Sequence, residues 1–132
     1  MQDQLPDVIH IYSTVGAFAA LKADGGVITW GDSHSGGNST AVQGQLVDVQ
    51  CIYSTLQAFA ALKVDGGVVT WGNPEYGGDS GAVQVQLADV LHIYCTLKAF
   101  AAVKVDDSVV TWGNAEDGGD SAAVQEQLAS VQ

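Results

Sequence analysis

The chain repeats one segment three times. "AFAALKADGGVITWG" begins at Ala17, "AFAALKVDGGVVTWG" at Ala58 and "AFAAVKVDDSVVTWG" at Ala99, a constant spacing of 41 residues. Periods of about 20 to 50 residues are typical of solenoids, propellers and other repeat arrays. We therefore treat residues 1–132 as a single repeat domain. Its repeats are 4–44, 45–85 and 86–126, and a partial fourth repeat, "QLASVQ", occupies 127–132.

Each repeat is predicted to form a three-stranded antiparallel meander. "DVIHIYST" is rich in β-branched and aromatic residues, which favour a strand, and "AFAALKA" and "VITWG" supply the second and third strands. An Asp-Gly pair between apolar strands indicates a type I′ hairpin turn, with positive φ at both central residues. The third repeat lacks the glycine, so we expect a looser turn there. The predicted hairpin residues are Asp24, Gly25, Asp65, Gly66, Asp106 and Asp107.

The last third of each repeat is ambiguous. In "STAVQGQL" the residues Val42 and Leu46 are four apart, a spacing that places them on one face of a helix and also on one face of a strand. The third copy, "DSAAVQEQLA", contains better helix formers. We expect one or two helical turns per repeat.

Both faces of the predicted sheets are apolar. In the first strand Ile9 and Ile11 should oppose Val8 and Tyr12, and in the second Phe18 should oppose the flanking alanines. A sheet that is apolar on both faces must be covered on both, and the next repeat is the simplest cover. The fold is therefore mainly β, with repeats packed as propeller blades or as a stacked β-solenoid. The predicted core residues are Trp30, Trp71, Trp112, Phe18, Phe59, Phe100, Tyr12, Tyr53 and Tyr94.

The run "ALKxDGxVxxWG", followed by "NxxxG" at Asn73, resembles the repeat of the regulator-of-chromosome-condensation family. The match covers all three repeats, and the chain looks like a divergent array of the form "FAALKxDGxVVTWG…GGDSxAVQxQL". The resemblance implies a β-propeller built from such blades. The family's usual "GQLG" is replaced here by "GGNS" and "GGDS", and the blade is shorter. The loops that serve guanine-nucleotide exchange in that family have no counterpart here, so the resemblance implies the architecture alone.

Charge and chemistry restrict the possible functions. The chain has 15 acidic residues, 4 basic residues and a net charge of -11, which disfavours binding to nucleic acids and to anionic membranes. The N-terminal sequence lacks signal-peptide features, and no apolar run is long enough to span a membrane, so the compartment stays unassigned. Cys51 and Cys95 occupy different repeat positions and are not expected to form a disulfide.

Candidate sites for metals, cofactors and catalysis are weak. His10, Cys51 and His92 are ligand types for zinc, but they are placed one per repeat and are not expected to reach one ion. The acidic loops lack the spacing of calcium-binding loops. Their carboxylates belong to Glu75, Asp79, Glu116, Asp117 and Asp120. We therefore expect no metal, no cofactor and no catalytic residue.

Triplication of one unit favours a structural or interaction role over catalysis. We expect a non-catalytic repeat protein that associates with itself head to tail, as a ring or as a filament, because neither outer repeat carries a polar cap. Another protein or a glycan is a further candidate partner. The alternative function is a carbohydrate-binding module that uses Tyr76, the Gly-Gly-Asp-Ser loops or exposed tryptophans.

Overall fold

The computed structural model describes residues 7–114 and confirms a mainly β fold of three repeated units. Each unit is a three-stranded antiparallel sheet in which the strands follow chain order. The first sheet contains β1 (Val8–Ser13), β2 (Ala17–Lys22) and β3 (Val27–Gly31). The second contains β4 (Val49–Ser54), β5 (Ala58–Lys63) and β6 (Val68–Gly72). The third contains β7 (Val90–Cys95), β8 (Ala99–Lys104) and β9 (Val109–Gly113).

Short 3-10 helices connect the sheets. They span Ser33–Ser35 and Thr40–Gln45 after the first sheet, and Pro74–Tyr76 and Gly81–Gln86 after the second. The ambiguous "AVQxQL" segment is thus helical in the first two units, and its third copy lies outside the described residues. None of the helices within residues 7–114 is long and apolar enough to cross a membrane.

The units pack face to face. We call the sheet face that carries the Phe and Trp side chains the front face and the opposite face the back face. One core cluster joins Ala19 and Leu21, on the back of the first unit, to Phe59 and Trp71, on the front of the second. A second cluster joins the back of the second unit to the front of the third in the same way. The predicted covering of one unit by the next is therefore present at both internal junctions.

The units spread apart from one edge to the other, as propeller blades do. At the inner edge the first strands lie side by side, β1 next to β4 and β4 next to β7. At the outer edge β6 packs instead on the helices Ser33–Ser35 and Thr40–Gln45 of the preceding unit. Because the helical segments fill the outer space between sheets, each unit has the shape of a wedge.

A β-bulge corrects the predicted faces of the first strand. In β4 both Val49 and Cys51 are paired across a single step of β5, so Gln50 is an extra residue. The bulge places Val49 on the same face as Ile52, and both belong to the core shared with the first unit. The prediction that Ile9 shares a face with Ile11 is therefore wrong. The corresponding bulge residues, Ile9 and Leu91, are exposed.

The hairpin turns also differ from the predicted type. Only Gly25 has a positive φ, 85°, in the first hairpin, and Gly25 N–H donates to the Lys22 carbonyl at 3.0 Å. This is the pattern of a type I turn followed by a left-handed residue that forms a bulge. It has three connecting residues, whereas the predicted type I′ turn has two.

The third hairpin is not looser than the others. Asp107 adopts the left-handed φ of 72°, and its N–H donates to the Lys104 carbonyl at 2.9 Å, as in the other units. Asp is one of the few residues other than Gly that tolerate this conformation. Asp106 further stabilises the turn because its carboxylate accepts hydrogen bonds from the Ser108 backbone N–H and hydroxyl. The Ser108 hydroxyl also lowers the pKa of Asp106.

Candidate interaction surfaces of the outer units

The aromatic pair on the front of the second unit shows how one unit recognises the next. Phe59 is fully buried and stacks on Trp71, with ring centroids 5.4 Å apart. The Trp71 indole N–H donates to the Gly36 carbonyl of the first unit at 3.1 Å. Gly36 has a φ of 100°, and a Cβ there would lie 2.6 Å from the Phe59 ring. Glycine is therefore required for the ring to approach the backbone.

The second junction repeats this geometry in the third unit. Phe100 is 1% exposed and stacks on Trp112, again with centroids 5.4 Å apart. The Trp112 indole N–H donates to the Gly77 carbonyl at 3.1 Å. Two copies of the same contact with matching distances define a standard junction between units.

Hydrogen bonds between successive β1–β2 type turns complete the junction at the inner edge. Val15 N–H donates to the Leu56 carbonyl and Leu56 N–H to the Leu97 carbonyl, both at 2.9 Å. The side chains equivalent to Ser13 add a parallel series of hydrogen bonds. The Ser54 hydroxyl donates to the Ser13 carbonyl and the Cys95 thiol to the Ser54 carbonyl, both at 3.1 Å.

A short stretch before each first strand also belongs to the junction. We call residues 45–49 and 86–90 the leading segments of the second and third units. In the first of these Leu46 is 1% exposed and Val49 is 5% exposed, within the core shared with the first unit. Val49 N–H donates to the Gly25 carbonyl at 3.0 Å, and a Cβ on Gly25 would lie 2.9 Å from the Asp48 Cα. The leading segment thus passes directly over the hairpin of the preceding unit.

The front face of the first unit lacks a unit to cover it. Phe18 is 45% exposed, although Phe59 and Phe100 at the same position are buried. Ile11 is 57% exposed, whereas its equivalent Ile52 is 3% exposed. Trp30 is half-buried and stacks on Phe18 at 5.4 Å. Phe18 therefore departs from its predicted place in the core, because that core exists only where a unit precedes.

The back face of the third unit is exposed in the complementary way at its first strand, whereas Ala99, Val103 and Val109 on the same face are buried. Tyr12 and Tyr53 are half-buried against the unit that follows, whereas Tyr94 is 58% exposed. Tyr94 thus also departs from its predicted core position. Burial raises the pKa of both Tyr12 and Tyr53 above the usual value for a phenol. A cavity of about 480 Å³ opens on this face. Its lining residues are Leu91, His92, Tyr94, Val103, Val105 and Asp107.

The structure brings no metal-ligating cluster together within residues 7–114. No group of three or more His, Cys, Asp or Glu side chains in this part of the chain is arranged to hold a metal ion. His10 and His92 are exposed and make tilted ring contacts with the tyrosines of their own strands. Cys51 and Cys95 are both free thiols. The Cys51 thiol contacts the Tyr53 hydroxyl at 3.2 Å.

The acidic residues in the loop of the second unit lie at the starts of its two short helices. The Asp79 carboxylate accepts a hydrogen bond from Gly81 N–H at 2.8 Å, at the start of the helix Gly81–Gln86. Glu75 lies in the first turn of Pro74–Tyr76, where Asn73 is the N-cap. The acidic residues of the third loop, Glu116, Asp117 and Asp120, lie outside the described residues.

The aromatic side chains considered for sugar binding are mostly unavailable. Trp71 and Trp112 are 5% and 4% exposed, so their ring faces cannot stack on a ligand. Tyr76 is half-buried, and the Lys98 ammonium lies 5.7 Å from its ring centroid. No described aromatic residue outside the two open faces offers a binding platform for a glycan.

Two parts of the junction escaped the sequence interpretation, namely the Gly36 and Gly77 carbonyls and the leading segments. The signal for the glycines was present, because a Gly-Gly pair follows each Trp-Gly pair at constant spacing. The leading segments also recur as "QL", one variable residue, and "DV". Neither feature is among the core residues predicted from the sequence.

Comparison with known proteins identifies the fold but not the family of this chain. No protein-family profile matches the chain. No curated protein matches it either. Among solved structures, yeast RCC1 (Prp20), crystallised with Kap60, superposes with a TM-score of 0.62 at 16% identity, over 94% of this chain and 34% of that one.

Two further structures show the same architecture. Human WBSCR16 gives a TM-score of 0.56 at 21% identity, over 80% of this chain and 34% of that one. The ectodomain of the receptor kinase CR4 from the moss Physcomitrella patens gives 0.58 at 19% identity, over 80% and 29%. The chain thus spans about a third of the length of the structures it matches. These likenesses establish that the chain has a propeller-type repeat fold.

Proposed function

We propose that this protein is a non-catalytic interaction module that associates with itself head to tail, and that all 132 residues act as one repeat domain. The third unit of one copy would pack on the first unit of another through the junction already used twice inside the chain. The observation that carries the proposal is the exposure of Phe18, at 45%, where Phe59 and Phe100 are 0% and 1% exposed. A second copy would bury it as the preceding unit buries its equivalents.

The two open faces are complementary because they are the two halves of one repeated junction. The front of the first unit offers Ile11, Phe18 and Trp30, and the back of the third offers Tyr94 and the cavity beside it. At the inner edge, Leu97 N–H of one copy would donate to the Val15 carbonyl of the next and continue the internal series. The new junction therefore requires no contact type that the chain does not already contain.

The wedge shape of the units favours a closed ring over a filament. Sheets that are close at the inner edge and separated at the outer edge rotate about a common axis, and propellers close with about four to eight blades. Three units cannot close such a ring, but two copies supply six. A head-to-tail contact whose rotation closes gives a ring rather than an open chain of subunits.

Charge predicts how this association responds to salt. Each copy has a net charge of -11, so two copies repel one another over distances comparable with the Debye length, about 10 Å at 0.1 M salt. The contact residues themselves are apolar. Added salt should therefore strengthen association, which is the opposite of its effect on an interface held by ion pairs.

Sedimentation velocity across a micromolar concentration series tests the proposal. We expect a reversible monomer–dimer equilibrium that shifts toward dimer between 50 mM and 500 mM NaCl. Phe18→Asp should abolish the dimer, while Val85→Asp should preserve it, because Val85 is 93% exposed and lies in the helix Gly81–Gln86 rather than on a sheet face. Circular dichroism would establish that both variants are folded.

Two outcomes would contradict the proposal. One is a folded wild-type monomer at every concentration and salt tested. The other is a dimer that Phe18→Asp leaves intact, since that dimer would use another surface. Species larger than a dimer that are still lost in Phe18→Asp would support head-to-tail contact and reject the two-copy ring.

A further inference from the structure

The loop between the two short helices of the first unit contains a modification sequence that the other units lack. Asn38-Ser39-Thr40 is the only Asn-x-Ser/Thr triplet in the chain, and this triplet is the acceptor sequence for N-linked glycans. We propose that Asn38 is a glycosylation site, and that the chain is made in a compartment where oligosaccharides are transferred to asparagine. The inference is independent of the proposed self-association, because it concerns the outer edge of the first sheet.

Two differences between the units create the triplet together. Asn38 stands where the second unit has Asp79, and Thr40 stands where it has Gly81, while the serine between them is unchanged. The third unit also has an aspartate at the first position and lacks a hydroxyl at the last. Since an acceptor sequence needs both the amide and the hydroxyl, neither difference alone would produce one.

The fold itself does not require an amide at residue 38. Asn38 Oδ1 accepts a hydrogen bond from Thr40 N–H at 2.9 Å, and Asp79 Oδ1 accepts the equivalent bond from Gly81 N–H at 2.8 Å. This turn uses one acceptor oxygen, which Asn and Asp both supply. Asparagine adds the Nδ2 nitrogen, which donates to no group within residues 7–114.

Glycan transfer uses this free nitrogen. Asn38 Nδ2 attacks the anomeric carbon of a lipid-linked oligosaccharide diphosphate, and a bond forms between the nitrogen and that carbon. The bond from the carbon to the diphosphate oxygen breaks, its electron pair leaves with the lipid diphosphate, and Nδ2 gives one proton to a base of the transferase. Because Oδ1 takes no part, its hydrogen bond with Thr40 N–H is compatible with the modified side chain.

Exposure in the loop suits a bulky substituent. Asn38 and Thr40 are exposed, whereas Ser39 between them is 5% exposed. The Ser39 hydroxyl lies 2.8 Å from that of Thr29 and donates to Gln43 Oε1 at 2.9 Å. The buried serine therefore anchors the loop to the sheet, while the residues on either side of it face the solvent.

The surface beside Asn38 can accommodate a sugar. A cavity of about 210 Å³ lies between the outer strand β3 and this loop. Thr29, Asn38 and Thr40 line it together with the half-buried Ile28. Hydroxyl and amide side chains both donate to and accept from the hydroxyls of a sugar. The first sugar of the glycan would thus rest against the outer edge of β3.

The two free thiols are compatible with an oxidising compartment. The Cys51 thiol contacts the Tyr53 hydroxyl at 3.2 Å, and Cys51 is half-buried. The Cys95 thiol donates to the Ser54 carbonyl at 3.1 Å, and partial burial raises the pKa of Cys95 above its usual value. The thiolate is the species that forms disulfides, so a thiol kept in its protonated form reacts slowly.

Digestion with peptide N-glycosidase tests the inference on the protein isolated from the cells that make it. The electrophoretic band should shift to lower mass, and mass spectrometry should locate the modification in residues 23–63, the tryptic peptide that contains Asn38. Release of the glycan converts Asn38 to aspartate. The product should remain folded by circular dichroism, because Asp79 makes the same turn in the second unit. A protein that carries no glycan on this peptide would overturn the inference.

Expression of the full chain behind a secretory leader in cultured eukaryotic cells tests the acceptor sequence directly. The wild-type chain and Thr40→Ser should acquire the glycan, whereas Asn38→Asp and Thr40→Ala should not. Asn38→Asp is the sharpest variant, because it preserves the acceptor oxygen of the turn and removes only the nucleophilic nitrogen. A secreted, folded wild-type chain without a glycan would overturn the inference, and so would a glycan retained in Asn38→Asp.

The second unit provides a matched control. Asp79→Asn combined with Gly81→Thr creates the same triplet at the equivalent position and should add a second shift that the glycosidase removes. Asp79→Asn alone should add none. A shift in the double variant but not in the wild-type chain would show that the triplet at Asn38 is inaccessible, and would also overturn the inference. None of these results depends on the oligomeric state, so the failure of either proposal can be recognised separately.

Discussion

Replacing Trp71 by alanine tests whether the junction between units stabilises the fold. Trp71 is 5% exposed, stacks on Phe59 at 5.4 Å and donates its indole N–H to the Gly36 carbonyl at 3.1 Å. Truncating a buried Trp costs about 3–5 kcal/mol in unfolding free energy, and a Gly36 carbonyl left without its partner adds about 1–3 kcal/mol if water does not reach it. We expect a loss of about 4–8 kcal/mol if water does not reach the carbonyl and about 3–5 kcal/mol if it does, a large share of the roughly 5–15 kcal/mol that is usual for a domain.

Trp30 supplies the matched control because it occupies the same repeat position with no unit in front of it. It is half-buried, so Trp30→Ala should cost only about 1–2 kcal/mol in dilute, monomeric protein. Urea titration followed by far-ultraviolet circular dichroism measures both variants without relying on tryptophan fluorescence. Equal losses for the two variants, or a loss below about 1 kcal/mol for Trp71→Ala, would refute the junction as a source of stability.

Three further outcomes follow from the structure. Gly36→Ala should destabilise the chain severely, because its Cβ would lie 2.6 Å from the Phe59 ring, while Gly44→Ala, with nothing within 4 Å, should be neutral or stabilising in thermal melts. Burial raises the pKa of Tyr53, with the Cys51 hydrogen bond adding to the effect, so the stability that this group contributes is complete below about pH 10 and is lost as pH rises toward the folded-state pKa. Urea midpoints measured from pH 9 to 11 should fall less steeply in Tyr53→Phe. Dialysis against a chelator should leave the melting temperature unchanged, since no metal-binding cluster is formed among residues 7–114.

The alternation of side chains along the second and third strands was predictable from the sequence. Phe59 and Ala61 face the preceding unit, while Ala58, Ala60 and Leu62 face the following one, as a period of two requires. Because both faces of each sheet are apolar, each face was expected to be covered by a neighbouring unit. The repeat period and this alternation together were enough to predict blades that pack on one another.

The first strand and the hairpins were less predictable, because single-residue backbone conformations control them. One extra residue at Gln50 reverses the sheet face of the residues that precede it in the strand. Nothing in the sequence "DVQCIYS" indicates that bulge. The Asp24-Gly25 pair fits two hairpin types, and only the φ of Asp24, which is not positive, separates them.

The exposed aromatic residues show a different limit of sequence reasoning. Phe18 and Phe59 lie in identical local sequences, yet one is 45% exposed and the other fully buried. Their environments differ only in whether a unit precedes them. Position within the array, rather than the residue or its neighbours in sequence, determines burial here.

The two edges of each sheet restrict how these molecules can aggregate. At the outer edge the Gln43 side-chain amide donates to the Val27 carbonyl of β3 at 3.0 Å, and Gln84 does the same for Val68 of β6. At the inner edge the bulges of β1, β4 and β7 interrupt the regular row of backbone donors and acceptors. An incoming strand needs such a row to extend a sheet into a fibril. Because both edges are interrupted in the first two units, extension of these sheets into a fibril is disfavoured, while the exposed faces stay available for contact.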